Sequence, residues 1–246
     1  MDKIMSNAII FGASGGVGSA LAGQMARKDW HLLLASRNEG ALVDLAQETG
    51  ADYVVADATV PEQVETAFDA MPATWSGVDG VVNCIGNLML KPAHLTSLED
   101  WRETIRVNLD SSFNVIKTAV QRMPDGGNIV LLSSAAASVG MANHEAISAA
   151  KAGVEGLVRA AAATYAAKKI RINAVAPGLL ETTLTSFITV NDGARIKSEA
   201  MHALGRMGQA GEVARVIAWM LDPQNAWMTG QVIAVDGGLS TVISRS

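Results

Sequence analysis

The stretch AIIFGASGGVGSALAGQMARK, residues 8–28, constrains the fold more than any other. It opens with an apolar run of strand length, too short for a helix. The run stops at a cluster of glycines, and a helix-like segment over 17–28 follows at once. The chain then repeats this alternation. Strands are expected at 31–36, 52–57, 80–86, 128–134, 171–178 and 231–238, and helices at 39–50, 61–71, 97–122, 144–168 and 193–221. Gly50 ends the second helix and Pro61 lies in the first turn of the third, where a missing N–H costs nothing. Most of the strand segments are continuously apolar instead of alternating, as in strands covered on both faces. Strand and helix in turn argue an α/β, doubly wound parallel sheet of about seven strands, with helices on both faces and right-handed crossovers. No linker, repeat or compositional break divides residues 1–246, so a single domain is expected.

Composition narrows the partners. The chain carries a net charge of −5 with no basic block, which argues against nucleic acid. No apolar run reaches bilayer length, and no membrane partner is expected. The opening residues show no export signal. The sole cysteine, Cys84, excludes an intrachain disulfide and fits a reducing compartment. A cytoplasmic location is the expectation, and no metal site is expected.

The glycines at 12, 16 and 18 fall between the first strand and the first helix. Glycine lets the backbone turn tightly and approach a pyrophosphate, while the helix N-terminus offers free N–H groups. The spacing Gly12-x-x-x-Gly16-x-Gly18 resembles the classical short-chain dehydrogenase/reductase family. The resemblance runs the length of the chain: Asp57-Ala58-Thr59 after the third strand, Asn83-Cys84-Ile85-Gly86 after the fourth, Asn108 in a helix, Ser134 at a strand end, Lys151 in AAKAGVEGL, Pro177-Gly178 with Thr182, and a closing VDGG. It implies a Rossmann-fold oxidoreductase acting on a small carbonyl or alcohol substrate. It also implies that Gly12, Ser14, Gly16, Val17, Gly18, Asp57, Ala58, Asn83, Gly86, Lys151, Pro177, Gly178 and Thr182 line a nicotinamide dinucleotide site.

The end of the second strand bears on which dinucleotide. A free ribose 2′-hydroxyl calls for an acidic residue there, and a 2′-phosphate calls for arginine. The sequence reads Ala35-Ser36-Arg37, with no acid before Glu39. Arg37 offers a planar fork and Ser36 a hydroxyl. NADP(H) is therefore preferred. NAD(H) stays open, because the glycine loop has Ser14 and Gly15 where the family has a second basic residue.

The family's proton donor is a tyrosine one helical turn before the lysine, assisted by the serine and by an asparagine that holds a relay water. Here Ser134 lies 13 residues before position 147, and Lys151 four after it, so Ile147 occupies the tyrosine position. Isoleucine carries no proton. Tyr53 and Tyr165 are the only tyrosines, and Tyr165 lies roughly 21 Å along the helix from Lys151 at ~1.5 Å per residue. His144, three residues before Ile147, shares its face if the helix already runs there, and histidine is a general acid suited to neutral pH. Glu145 reaches the site only if the helix starts later, and it equally suits a first helical turn. Glu181 is a further proton-bearing group beside the Pro-Gly loop.

Two readings follow. In one, the protein is a reductase whose catalytic set is Ser134, Lys151, Asn108 and His144, with Glu145 in support. In the other, it binds the cofactor without turnover, as a sensor or as the inert partner of an active subunit. A non-redox dehydration or isomerisation is a third. Residues 179–204 are expected to cover the substrate, offering Leu184, Phe187, Ile188 and Met201, with 87–95 and His94 nearby. The resemblance implies a homodimer or homotetramer built on the helices around 107–120 and 158–167.

Overall fold

A computed structural model describes residues 6–28 and 30–243. Residues 1–5, read above for an export signal, lie outside that range. The first half of the chain gives Asn7–Phe11 (β1), Gly16–Ala26 (α1), His31–Ser36 (β2), Glu39–Thr49 (α2), Asp52–Val55 (β3), Pro61–Asp69 (α3) and Gly80–Asn83 (β4). Leu98–Ile105 (α4), a π-helical turn at Arg106–Asp110 and Ser111–Arg122 (α5) follow, then Gly127–Leu132 (β5), Glu145–Tyr165 (α6) and Ile170–Pro177 (β6). The last part comprises Leu180–Glu181 (β7), Ser186–Thr189 (α7), Asp192–Met201 (α8), Gly208–Gln209 (β8), Ala210–Leu221 (α9) and Val232–Val235 (β9).

Seven strands form one sheet in the order β3-β2-β1-β4-β5-β6-β9, and every pairing is parallel. The chain works outward from β1 to β3, then returns to place β4 on the other side of β1. That reversal leaves a crevice beyond the carboxyl ends of β1 and β4, where sheets of this kind bind ligands. The expected single-domain, doubly wound fold is present.

Alternation along β1 shows why Ala8–Phe11 are all apolar. Ile9 and Phe11 enter the core shared with Val64, Phe68, Val115, Val154 and Val158 of the helices on one face. Ala8 and Ile10 enter the opposite core, with Leu21, Leu42, Val213 and Ile217. Successive side chains point to opposite faces, so a strand covered twice is apolar wherever a side chain has no hydrogen-bond partner, and the buried Asn7 at the start of β1 bonds to the Gly77 carbonyl. The expectation fails at the edge: β3 exposes Tyr53 (41%) and Val55 (46%), because only one neighbour and fewer helices cover it.

Two further corrections concern helices. The region 193–221 is not continuous: residues 202–209 leave the helix, turn and pair as β8 with β7. Helix α6 begins at Glu145, one residue later than expected, and closes with a 3-10 turn at Ala166–Lys168. His144 is its N-cap residue and lies outside the helix.

The glycine loop is close packed. Gly12 has φ +73°, open to glycine at little cost. A Cβ on Gly18 would lie 2.3 Å from the Gly12 carbonyl oxygen, far inside van der Waals contact. Gly18→Ala is therefore expected to cost about 3 kcal/mol or more. A thermal melt should show the transition lowered by roughly 6–12 °C; an unchanged melt would contradict this packing.

Candidate active site

A cavity of about 530 Å³ opens above the crevice. Its floor is the glycine loop (Gly15, Gly16, Val17), and its walls come from the ends of β4, β5 and β6, the start of α6 and the 179–202 segment. The cavity gathers Gly86, Asn108, Ser134, His144, Ile147, Lys151, Pro177, Gly178 and Thr182 from positions far apart in the chain.

Lys151 lies one turn beyond Ile147 on α6 and is buried. Its Nζ donates to the Leu132 carbonyl oxygen at 2.8 Å. Removal from water disfavours the ammonium, and burial brings Lys151 down to about 8. The neighbouring Cys84 thiol is pushed up to about 12 by the same burial, so it stays protonated and inert. A Cβ on Gly86 would lie 3.0 Å from Asn108 Oδ1 and 3.5 Å from Lys151 Nζ, so the backbone at Gly86 passes closely between these two side chains.

Asn108 sits in the π-helical turn, a distortion often found at functional sites. Its Nδ2 donates to Asn87 Oδ1 at 2.6 Å and to the Thr104 carbonyl at 3.0 Å, and its Oδ1 accepts from the Asn87 N–H at 3.3 Å. The whole amide is engaged within the protein and fixes Asn87 at the cavity wall.

Ser134 is half-buried at the end of β5, and its Oγ accepts from the Ala136 N–H at 3.2 Å. That bond leaves the hydroxyl proton available to a ligand. His144 Nδ1 lies 2.7 Å from the Ala142 carbonyl oxygen. A carbonyl only accepts, so Nδ1 carries a proton and Nε2 is left free of that bond. Ile147 is 3% exposed and presents hydrocarbon to the cavity.

Glu145 is outside this group. Its carboxylate accepts from the Ala93 N–H at 3.3 Å, and it does not line the cavity. The reason is geometric: α6 starts at Glu145, so two residues of helical rotation turn it away from Ile147. Glu181 is committed to Arg195 and to Gln209 Nε2, which ties the lid to β8. Tyr53 lies on the sheet edge and Tyr165 at the far end of α6. Leu184, Ile188 and Met201 line the cavity, whereas Phe187 and His94 are exposed outside it.

Farther along the crevice, the Ser14 and Ser36 hydroxyls lie 2.7 Å apart. Arg37 extends from the end of β2 with its side chain 71% exposed, and its Nη1 stands 3.8 Å from Asp57 Oδ2. Burial opposes ionisation of Asp57, but bonds from Thr59 and the nearby Arg37 and Arg106 outweigh it and hold the carboxyl below its ordinary value. Ala58 is buried, and its carbonyl accepts from Asn114 Nδ2 at 3.0 Å. Asn83 is buried and bonded to Ser111 and Ser112, and its Oδ1 accepts the Ile85 N–H at 3.1 Å. It holds the loop after β4 from behind and does not line the cavity. The methyl of Thr182 rests against Gly16, so the Pro-Gly loop meets the glycine loop across the crevice.

The cradle where no Cβ fits, the buried lysine and the long crevice suit a dinucleotide. The comparison with known proteins decides the family. Residues 12–240 match a family model described as enoyl-(acyl carrier protein) reductase. The chain belongs to the short-chain dehydrogenase/reductase family. Cis-4-hydroxycyclohexanecarboxylate dehydrogenase of Sinomonas cyclohexanicum is 34% identical over 242 residues, covering 96% of each chain. Carbonyl reductase family member 4 of Danio rerio is 33% identical over 244 residues, covering 96% of this chain and 98% of the relative. Among solved structures, ElxO with NADP bound superposes with a TM-score of 0.90 at 27% identity, over 97% of this chain and all of the other. Among the described residues, no helix of this short-chain dehydrogenase/reductase is long and apolar enough to cross a membrane.

Asn87 and His202, within the 87–95 and 179–204 segments expected near the substrate but not singled out there, and Met141, outside every expected segment, all lie on the cavity wall. None lies in a family motif, and only the folded chain brings them to the site.

Proposed function

We propose that this family member is an NADP(H)-dependent reductase of small, mainly apolar carbonyl compounds, in which His144 supplies the proton that the family draws from tyrosine. One observation carries the reading. The cavity holds Ser134, His144 and Lys151 together, while the tyrosine position is filled by the buried hydrocarbon of Ile147. When bound, the nicotinamide supplies hydride to the substrate carbonyl carbon. Ser134 Oγ donates a hydrogen bond to the carbonyl oxygen, and the imidazolium form of His144 gives its Nε2 proton to that oxygen as negative charge develops, leaving the neutral ring protonated on Nδ1. Lys151 holds the nicotinamide ribose, and Thr182 and the Pro-Gly loop hold the ring. Leu88, Leu90, Met141, Leu184, Ile188 and Met201 give the rest of the cavity an apolar lining. The names of the two relatives above, a hydroxycyclohexanecarboxylate dehydrogenase and a carbonyl reductase family member, support an alcohol or carbonyl substrate.

The second reading, cofactor binding without turnover, is favoured by Ile147 itself. A cytoplasmic homodimer or homotetramer is part of the proposal, supported by the exposed Phe113 (53%) on α5.

Titration with NADPH and NADH tests the cofactor half without knowledge of the substrate. NADPH is expected to bind more tightly. Arg37→Ala should weaken NADPH about 10- to 100-fold, the worth of charge-assisted bonds to a phosphate, and leave NADH unchanged. Equal loss for both nucleotides would remove the phosphate role of Arg37. Binding of neither by the unaltered protein would remove the oxidoreductase reading.

A further inference from the structure

His202 is 4% exposed and lies on the wall of the active-site cavity, just past the end of α8. Its two ring nitrogens have different partners. Nδ1 stands 2.7 Å from the Ser198 carbonyl oxygen, and Nε2 accepts the Leu179 N–H at 3.1 Å. A carbonyl can only accept and an amide N–H can only donate, so the ring is held as one neutral tautomer, protonated on Nδ1. Leu179 immediately follows Pro177-Gly178 and begins the segment that covers the cavity. The ring therefore joins the first residue of that segment to its last helix. The joint is tight: a Cβ on Gly178 would lie 2.7 Å from His202 Nε2. On the other side, the β7–β8 pair and a bond from the Gly208 N–H to the Leu179 carbonyl at 2.9 Å hold the same strand. The Leu179 N–H has His202 as its partner.

We propose that His202 is a positioning residue that latches the base of the lid and fixes Pro177-Gly178 at the cavity wall. Both of its nitrogens are engaged, so it does not exchange protons with the substrate. Its consequence for cofactor affinity rests on the reading above, in which this loop holds the nicotinamide; the latch itself does not.

Three variants separate the latch from bulk. In His202→Gln, a side-chain oxygen reaches about as far as Nε2 and keeps an acceptor for Leu179. In His202→Asn, an amide at the Nδ1 position keeps the bond to Ser198 but not the one to Leu179. His202→Ala keeps neither. Amide hydrogen exchange over residues 178–186, measured on the full chain without nucleotide, should quicken about tenfold or more in the Ala and Asn variants and stay within about threefold of the parent in Gln. NADPH affinity should weaken with the same ranking. Should His202→Ala fail to fold, the Gln and Asn pair still decides. Exchange unchanged in Asn, or raised equally in Gln and Asn, would overturn the latch. Exchange that follows the ranking in a protein that binds neither NADPH nor NADH would keep the latch and overturn the oxidoreductase reading instead.

Discussion

His144→Ala is expected to lower kcat for carbonyl reduction about a hundredfold or more, the usual worth of a positioned general acid. NADPH affinity should stay within about twofold, because the proposed function puts His144 on the substrate and not on the cofactor. The deficit should be recoverable. Adding Ile147→Tyr to His144→Ala places a phenol one helical turn before Lys151, where an ammonium at i+4 faces it. Ile147 is buried, so the larger ring costs some stability by overpacking, about 1–3 kcal/mol. Steady-state kinetics with NADPH and a panel of cyclic and aliphatic ketones would measure both variants. Full activity in His144→Ala would eliminate the histidine as the proton source. Recovery by the second substitution would show that Ser134 and Lys151 still form a reductive site that lacks only an acid.

Lys151→Met is expected to do two opposite things: weaken NADPH binding by about 10- to 100-fold, through loss of charged bonds to the ribose, and make the apo-protein more stable. The second effect follows from burial. Lys151 titrates at about 8 in the folded chain against an ordinary 10.5. Between those values the unfolded chain holds more protons than the folded one, so stability of the parent rises with pH across that window. Below about 8 the folded protein carries the full penalty of a desolvated ammonium. Methionine of similar volume removes that penalty and forfeits only the bond to the Leu132 carbonyl. The net gain at neutral pH is on the order of 1–2 kcal/mol, seen as a melt raised by roughly 3–6 °C. The gain should shrink as pH climbs from 8 toward 10.5. A variant that melts lower at pH 7 would mean that Lys151 is stabilised by more than its carbonyl partner.

The sheet was legible because its physics is local. A strand covered on both faces is apolar over most of its length, and β1, β2 and β5 each announce themselves by a run of consecutive apolar residues. The glycine loop was legible for a related reason: Gly12 has a left-handed backbone and Gly18 has no room for a Cβ, so the chemistry of the turn restricts the residue type directly. Ile147 was legible through its spacing from Lys151, since four residues is one helical turn whatever surrounds it.

What the sequence left open depended on where one helix starts and how distant loops meet. A start at Glu145 makes His144 an N-cap residue beside the cavity and turns Glu145 toward Ala93, and cap preferences are too weak to fix that start in advance. Asn108 reads as a free helix amide until folding sets Asn87 against it. Glu181 reads as a free acid until Arg195 of α8 and Gln209 of β8 meet it. His202 carries no sequence signal, because its partners at Ser198 and Leu179 are ordinary backbone groups. The sequence by itself determined the α/β architecture, the dinucleotide crevice and the absence of a phenol at position 147, since each follows from residue type at short range. Only the tertiary structure decided which polar groups face the cavity and which are bonded elsewhere, because hydrogen-bond partners far apart in the chain compete for each of them.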